Sequence, residues 1–599
     1  MDRSSHRGMR PMEKSKRGIA GVLEEIFAYS AKSKLPVAIA LLFAVIGAIL
    51  TIIGPGLLSQ ITDLISNSLA GEIDLAAISR IGVRLLAIYG LSAVFTYVEH
   101  YIMATVTLEL AHDLRRDLSR KINRVPMKYF STVSHGDILS RVTNDVSTLQ
   151  QALANSLPSM ISAAAQFIGC LVMMCITEWH MALAAIAVTL LGFAVMGAVM
   201  LRSQRYFSAR QKGLSTLNGY VEEMCSGHDV VRISQAARDM KRTFAAMNAA
   251  LYDADWRSQF LSGVMQPLMN VVGNLGYVVV FVLGAALALS GQISFGVIVA
   301  FILYVRLFTS PLSTLAQGMT QMQTAAAAGD HILDFLQEEE LPDEPDKHAF
   351  PDPVRGEVEF VHVRFSYPNA PDKVVIKDFS AHVQPGQKVA IVGPTGAGKT
   401  TLVNLLMRFF ELDSGQIKID GIPTSEMKRE SVHDLFSMVL QDTWLFEGTV
   451  RENLVYNKTG IADQQLEEAC RACGIYHFIE TLPNGFDTVL NDSIAISAGQ
   501  KQLLTIARAM VQGNPMLILD EATSSVDTRT ELITQRAMDR LTEHRTSFVI
   551  AHRLSTIKNA DLILVLKDGD IIEQGTHEAL LAKGGAYADL YNSQFEEPA

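Results

Sequence analysis

The sequence predicts two domains of different physics. The first is an all-α six-helix transmembrane domain with long cytoplasmic helical extensions. The second is an α/β domain built around a phosphate-binding loop. Three observations predict this. Apolar residues, without counting glycine, make up 49% of the 599 residues, more than a soluble chain usually carries. The long apolar runs fall almost entirely before Thr320. Beyond it, strand-like text leads into GPTGAGKTT at Gly393–Thr401. A chain of this length exceeds one ordinary domain. Its 62 acidic against 51 basic residues give no footprint of nucleic-acid binding.

The N-terminal MDRSSHRGMRPMEKSKRG is basic and polar. No short apolar run with a cleavage site follows it closely, so a removable signal peptide is not expected. Six spans follow, each near the roughly 20 residues that cross a bilayer. They are Val37–Ile61, Val83–Ala104, Ser156–Ile176, Met181–Leu201, Val264–Leu289 and Phe295–Leu315. The segments after spans two and four are rich in Lys and Arg, as in HDLRRDLSRKINRVPMKYF and RSQRYFSARQKG. The other connections are short and poor in both. The positive-inside rule therefore puts both termini and both long loops in the cytoplasm.

Those long loops keep helical periodicity and extend the spans well past the bilayer. FSTVSHGDILSRVTNDV and EEMCSGHDVVRIS read as short connecting helices at the cytoplasmic tips, placed to dock onto another domain. Near Leu336 the text turns acidic and Pro-rich, LQEEELPDEPDKHAFPDPVRG, which reads as a linker. GEVEFVHVRFSY then alternates like half-buried strands. KVAIVG and MLILD suit the interior of a parallel sheet. The expected divisions are residues 1–35 (tail and elbow helix), 36–335 (membrane domain), 336–355 (linker) and 356–595 (cassette).

KVAIVGPTGAGKTTLV reads as strand, glycine loop, helix. Gly393, Gly396 and Gly398, with Pro394, Thr395 and Ala397 between them, let backbone N–H groups wrap phosphates. Lys399 reaches the β and γ phosphates, the Thr400 hydroxyl suits Mg²⁺, and Thr401 follows on the helix. Asp520 ends an apolar strand at the edge where ligands bind in such sheets. There it is placed to hold the metal's water shell, and Glu521 to polarise an attacking water. Gln441 and His552 complete the polar set, although each alone also reads as a satisfied loop or core residue. Tyr367 precedes the loop and suits either adenine stacking or a half-buried strand position. In AISAGQKQLLTIARAM, Ser497 stands where a helix N-cap belongs and Gly499 permits close approach. The first turn of that helix suits a phosphate. Cys470 and Cys473 have CxxC spacing, but no second pair or His cluster accompanies them to suggest a metal or redox centre.

Taken together, the chain resembles an ABC exporter half-transporter: a six-helix membrane domain fused to one ATP-binding cassette. Tyr367 matches the adenine-stacking loop, Gly393–Thr400 Walker A, Gln441 the Q-loop and ISAGQ the signature. MLILDE matches Walker B, Ser524–Asp527 the D-loop and His552 the switch histidine. The two tip segments resemble the coupling helices. The resemblance implies an ATPase coupled to alternating-access transport, with ATP and Mg²⁺ as cofactors and Thr400, Gln441 and Asp520 near the metal. It implies catalysis by Glu521, His552 and Lys399. In this family each ATP lies between the Walker motifs of one cassette and the signature of another. Ser497, Gly499 and Gln500, with Asp527, would then serve a composite site, and a second half-transporter is required. The signature is Ile496-Ser-Ala-Gly-Gln500 where the family usually has LSGGQ. The stretch before it, TVLNDSIAI, is one residue short and lacks the usual Glu unless Asp492 substitutes. The chain's own Walker set is complete. That combination resembles one subunit of bacterial heterodimeric multidrug exporters and favours a heterodimer over a homodimer.

The expected cargo is hydrophobic or amphiphilic: drug-like, lipid or peptide. The expected location is the inner (plasma) membrane. The alternatives are a siderophore-type importer on the exporter fold and an ATP-gated regulator or channel. Arg306 lies about mid-bilayer in span six. It reads either as a structural charge, pairing with Glu99 or snorkelling, or as a residue lining the transport cavity.

Overall fold

A computed structural model describes residues 17–68, 73–441, 443–491, 494, 496–520, 528–550 and 557–595. The chain divides into two compact units. One comprises the residues up to Asn123 and His135–Glu338; the other comprises Arg124–Ser134 and Glu339–Ala599.

In the first unit the apolar runs become six helical runs long and apolar enough to cross a membrane. A short leading helix, α1 (Gly18–Tyr29), is followed by α2 (Lys34–Asn67), α3 (Leu75–Ile122), α4 (Leu157–Thr177), α5 (Trp179–Ser226), α6 (Ala237–Leu289) and α7 (Phe295–Leu336). The longest, α6, has 53 residues, or about 80 Å at 1.5 Å per residue. A hydrocarbon core is only about 30 Å thick, so such helices also build the cytoplasmic extensions.

Small residues set the helix spacing, as expected where lipid removes the hydrophobic drive between helices. A Cβ at Gly54 of α2 would lie 2.1 Å from the Tyr89 hydroxyl of α3. One at Gly192 of α5 would lie 2.4 Å from Val272 of α6, and one at Gly318 of α7 would lie 2.3 Å from Met160 of α4. Ser92 of α3 donates to the Gly47 carbonyl of α2 at 3.0 Å. Asp63 caps the start of α7 by accepting from the Gly296 N–H and the Ser294 hydroxyl, both at 2.7 Å. α1 is fastened to α7 through Arg17, which donates to Asp330 at 3.0 Å and Asp334 at 2.7 Å.

The second unit holds an antiparallel sheet and a six-stranded, mostly parallel one. The first contains β1 (Val358–Ser366), β2 (Val374–Val383) and β4 (Ser414–Ile419), with β1 between the other two. The second runs in the order β9-β8-β3-β7-β6-β5. Its strands are β3 (Lys388–Val392), β5 (Phe436–Val439), β6 (Met516–Asp520), β7 (Thr546–Ile550), β8 (Leu562–Lys567) and β9 (Asp570–Gly575). Alternate residues of a strand point to opposite faces. Accordingly Val389, Ile391, Ile518, Phe548 and Ile550 enter one core with helix α8 (Lys399–Leu406) and the antiparallel sheet. Leu517, Leu519 and Val549 enter another core with helix α9 (Ala498–Gln512).

The acidic segment read as a linker is anchored within this unit. Glu344 accepts from Arg408 at 2.7 Å, Lys347 at 2.8 Å and the Arg429 N–H at 2.8 Å. The Leu341 N–H donates to the Arg124 carbonyl at 2.7 Å, and Lys128 donates to Glu339 at 2.8 Å. Part of the first tip segment thus belongs to the cassette unit. The second tip forms a short helix, His228–Ile233, that leaves Val230 and Ile233 exposed.

Candidate functional site

The parallel sheet collects the polar residues at one edge. β7 pairs with β3 and β6, setting Ile550 opposite both Ile391 and Asp520. β5 pairs with β6, setting Val439 opposite Leu519. The chain leaves β3 for the glycine loop, β5 for Gln441 and β6 directly from Asp520. All three therefore exit at the carboxyl ends of the strands, where open α/β sheets bind ligands.

In the loop, Gly393, Gly396 and Gly398 have φ of 152°, 86° and 103°, backbone that side chains with a Cβ rarely adopt. Space is tight behind Gly393, where a Cβ would meet the Leu566 carbonyl at 2.3 Å; at Gly396 it would meet nothing within 4 Å. The open side is the side left for a ligand. Pro394, Thr395 and Thr400 are exposed, while Ala397 and Thr401 are buried. Lys399 is buried, and its ammonium donates to the Gly393 carbonyl at 2.8 Å and the Pro394 carbonyl at 3.1 Å. Burial lowers its pKa, against the opposing pull of the Asp520 carboxylate. This is a cation held under a loop of backbone donors, the arrangement that takes polyphosphate.

Tyr367 hangs beside the loop. Its hydroxyl hydrogen-bonds the Thr401 hydroxyl at 2.9 Å, and its ring meets Phe365 and Phe410 edge-on. A cavity of about 1010 Å³ adjoins it, lined by Lys128, Glu344, Phe410 and Arg429 among others, and by no residue of Gly393–Thr401.

Ser497 is the N-cap of α9, in a reciprocal capping box. Its hydroxyl accepts from the Gln500 N–H at 3.2 Å, and the Gln500 side chain accepts from the Ser497 N–H at 2.9 Å. Gly499 is buried just inside the first turn. α8 and α9 pack on opposite faces of the one sheet, so the structure does not bring Ser497 to the chain's own glycine loop from the same side. Glu521, Asp527, His552 and Asp492 lie outside the described residues.

One positioning residue had no sequence signal. Arg508, half-buried on α9, donates to the Asn453 carbonyl at 2.7 Å and the Trp444 carbonyl at 3.2 Å. It thereby fastens the segment after Gln441 to α9. Conversely, Cys470 and Cys473 prove to be core residues. Burial pushes both thiols up to about 12, and Cys473 touches the Met510 sulfur at 3.4 Å. In the membrane unit the pairing read for Arg306 is not formed. Arg306 is exposed on α7, whereas Glu99 is buried on α3, its Oε1 without a hydrogen bond and 3.8 Å from His100 Nδ1.

Comparison with known proteins agrees with this geometry. Residues 37–312 match the family model of the ABC transporter transmembrane region, and residues 376–524 match that of the ABC transporter. The fatty acid ABC transporter ATP-binding/permease protein of Mycobacterium bovis is 42% identical over 536 residues, 88% of this chain and 84% of that protein. The ABC transporter ATP-binding protein YfiC of Bacillus subtilis is 38% identical over 96% of this chain and 95% of its own length. The ATP-dependent lipid A-core flippase of Syntrophus aciditrophicus is 32% identical over 86% of each chain.

Proposed function

The chain belongs to the ABC transporter family, and from that premise we propose that it is the ATP-hydrolysing half of a dimeric exporter of amphiphilic compounds. The observation that carries the dimer is the placement of α8 and α9 on opposite faces of one sheet. The phosphates of one nucleotide do not reach across a packed sheet. Ser497, Gly499 and Gln500 therefore serve the ATP of a second cassette, with Asp527 at the junction.

Within the chain's own half-site, Tyr367 faces the adenine. The N–H groups of the loop from Gly393 to Thr401 wrap the phosphates, and Lys399 neutralises them. Thr400, Gln441 and Asp520 are oxygen donors of the kind a hard divalent cation takes, so the set fits Mg²⁺. When bound, Mg²⁺ offsets charge on the phosphates. Glu521 polarises the attacking water, and His552 supports the γ-phosphate. Positioning and charge neutralisation account for most of the catalysis.

The Lys- and Arg-rich loops argue for an inner-membrane protein with both termini cytoplasmic. Export of amphiphiles accords with relatives named for fatty acids and lipid A. The exposed Val230 and Ile233 suit a coupling helix that docks on a cassette.

We favour a heterodimer, because Ala498 stands in the signature beside a complete Walker set. In the purified complex, Glu521→Gln is expected to lower turnover by about 10²–10⁴-fold while ATP still binds. Ser497→Ala is expected to cost much less. Turnover near the parent rate in Glu521→Gln removes that residue from its role. Transport by this chain expressed alone restores the homodimer.

A further inference from the structure

Helix α7 has two faces of different character. Phe301, Tyr304, Val305 and Phe308 are buried against neighbouring spans. Between Gly296 and Gly318 the exposed residues are Arg306, Ser310, Ser313, Ala316 and Gln317. Spacings of four, three and four from Arg306 through Ser310 and Ser313 to Gln317, with Ala316 beside the last, place them on one stripe. Elsewhere the spans expose mainly apolar residues, such as Ile168, Val172 and Ile176 on α4, Leu183, Leu190 and Leu191 on α5, and Val278, Phe281 and Val282 on α6, with neutral or weakly basic exceptions in Thr96 and His100 on α3 and Asn270 and Asn274 on α6. Such apolar residues suit contact with lipid. A face of Arg, Ser and Gln does not, because an ionised side chain in hydrocarbon costs several kcal/mol.

Arg306 lies 11 residues into α7, roughly 16 Å below its outer end at 1.5 Å per residue. That depth is too great for the side chain to reach the outer surface. Among the described residues no carboxylate pairs with it. Within the six apolar spans of this chain the sole acid is Glu99, and it is buried in its own helix bundle with 3% exposure.

We propose that Arg306 is the headgroup-recognition residue of the transport cavity, and that it selects amphiphiles carrying an anionic headgroup. The stripe from Gln317 up to Arg306 is the polar track on which that headgroup moves from the cytoplasmic side to mid-bilayer. The inference rests on the exporter reading and specifies its cargo.

The test uses the full complex in lipid nanodiscs. Three probes of equal chain length are titrated: palmitate, cetyl alcohol and cetyltrimethylammonium. The parent is expected to bind palmitate most tightly. Arg306→Gln is expected to lose about tenfold or more in palmitate affinity, the scale of a hydrogen bond to a charged group, with little change for the alcohol. Arg306→Lys is expected to keep the preference. Palmitate affinity unchanged in Arg306→Gln overturns the assignment, and so does equal weakening of all three probes in both variants. The parent's own ranking decides the matter if Arg306→Gln does not fold. Equal binding of all three probes overturns the assignment alone, whereas binding of none overturns the amphiphile reading with it.

Discussion

Three cations of the cassette and two charged residues at lipid depth in the spans treat costly charge in opposite ways. In the cassette, Lys399, Arg408 and Arg508 are all drawn into bonds made by the same unit. Lys399 meets loop carbonyls, Arg408 meets Glu344 and the Met427 carbonyl, and Arg508 meets Asn453. In the membrane unit, Glu99 keeps an oxygen without a hydrogen bond, and Arg306 is exposed with no acid pairing it among the described residues. The difference teaches where each site is completed. A cassette half-site is organised by its own chain before ligand arrives. The span-six stripe is organised to be met by something else.

The contrast can be broken first at Arg408. It is 5% exposed, against Glu344 at 10%, so Arg408→Ala leaves a carboxylate largely shielded from water. Lys347 and the Arg429 N–H still hold Glu344, so the cost falls below that of a buried pair left uncompensated, about 3–5 kcal/mol. The expected result is a clear drop in the cassette's unfolding midpoint in the full chain. A midpoint equal to the parent's would mean that the anchored linker contributes nothing. Arg306→Gln, by comparison, removes no internal bond and is expected to leave the midpoint near that of the parent.

Lys399→Ala comes next. It removes the ammonium held under the glycine loop and is expected to weaken ATP binding by about 10–100-fold, read by titration with a fluorescent nucleotide. Undiminished affinity would show that the loop's N–H groups suffice.

Acid sharpens the comparison with a smaller effect. Burial alone would raise the Glu344 carboxyl. The bonds from Lys347, the Arg429 N–H and Arg408 outweigh burial and hold it at about 2, below the ordinary 4.5. Because the folded value is the lower one, the associated stability is complete above the ordinary glutamate range. It is lost as pH falls from there through the folded value. Glu344→Gln is expected to flatten that acid limb of the cassette's unfolding curve; an unchanged slope would assign the limb to other carboxylates.

The smallest expected signal is a null. Cys470 and Cys473, raised to about 12 by burial, are expected to resist maleimide at neutral pH, while exposed Cys225 labels readily. Labelling of Cys473 in the folded chain would show that the signature-side core opens.

The sequence by itself determined the elements and their order. Six apolar runs near bilayer length have few alternatives to transmembrane helices. GPTGAGKTT between a strand and a helix is a local pattern whose backbone follows from its glycines. Ser497 as an N-cap is equally local, because the capping box with Gln500 closes within one turn. Only the tertiary structure decided which distant residues meet. The acidic, Pro-rich text from Glu338 to Pro345 gives no hint that Glu344 is gripped by Arg408, 64 positions away. The helix carrying Arg508 gives no hint of Asn453. The pairing read for Arg306 and Glu99 failed for the same reason. Opposite charges at mid-span are compatible in sequence, but helix rotation turned one into the bundle and the other out of it. Side-chain direction around a helix is fixed by packing against neighbours, and packing is the one quantity that a single strand of text does not carry.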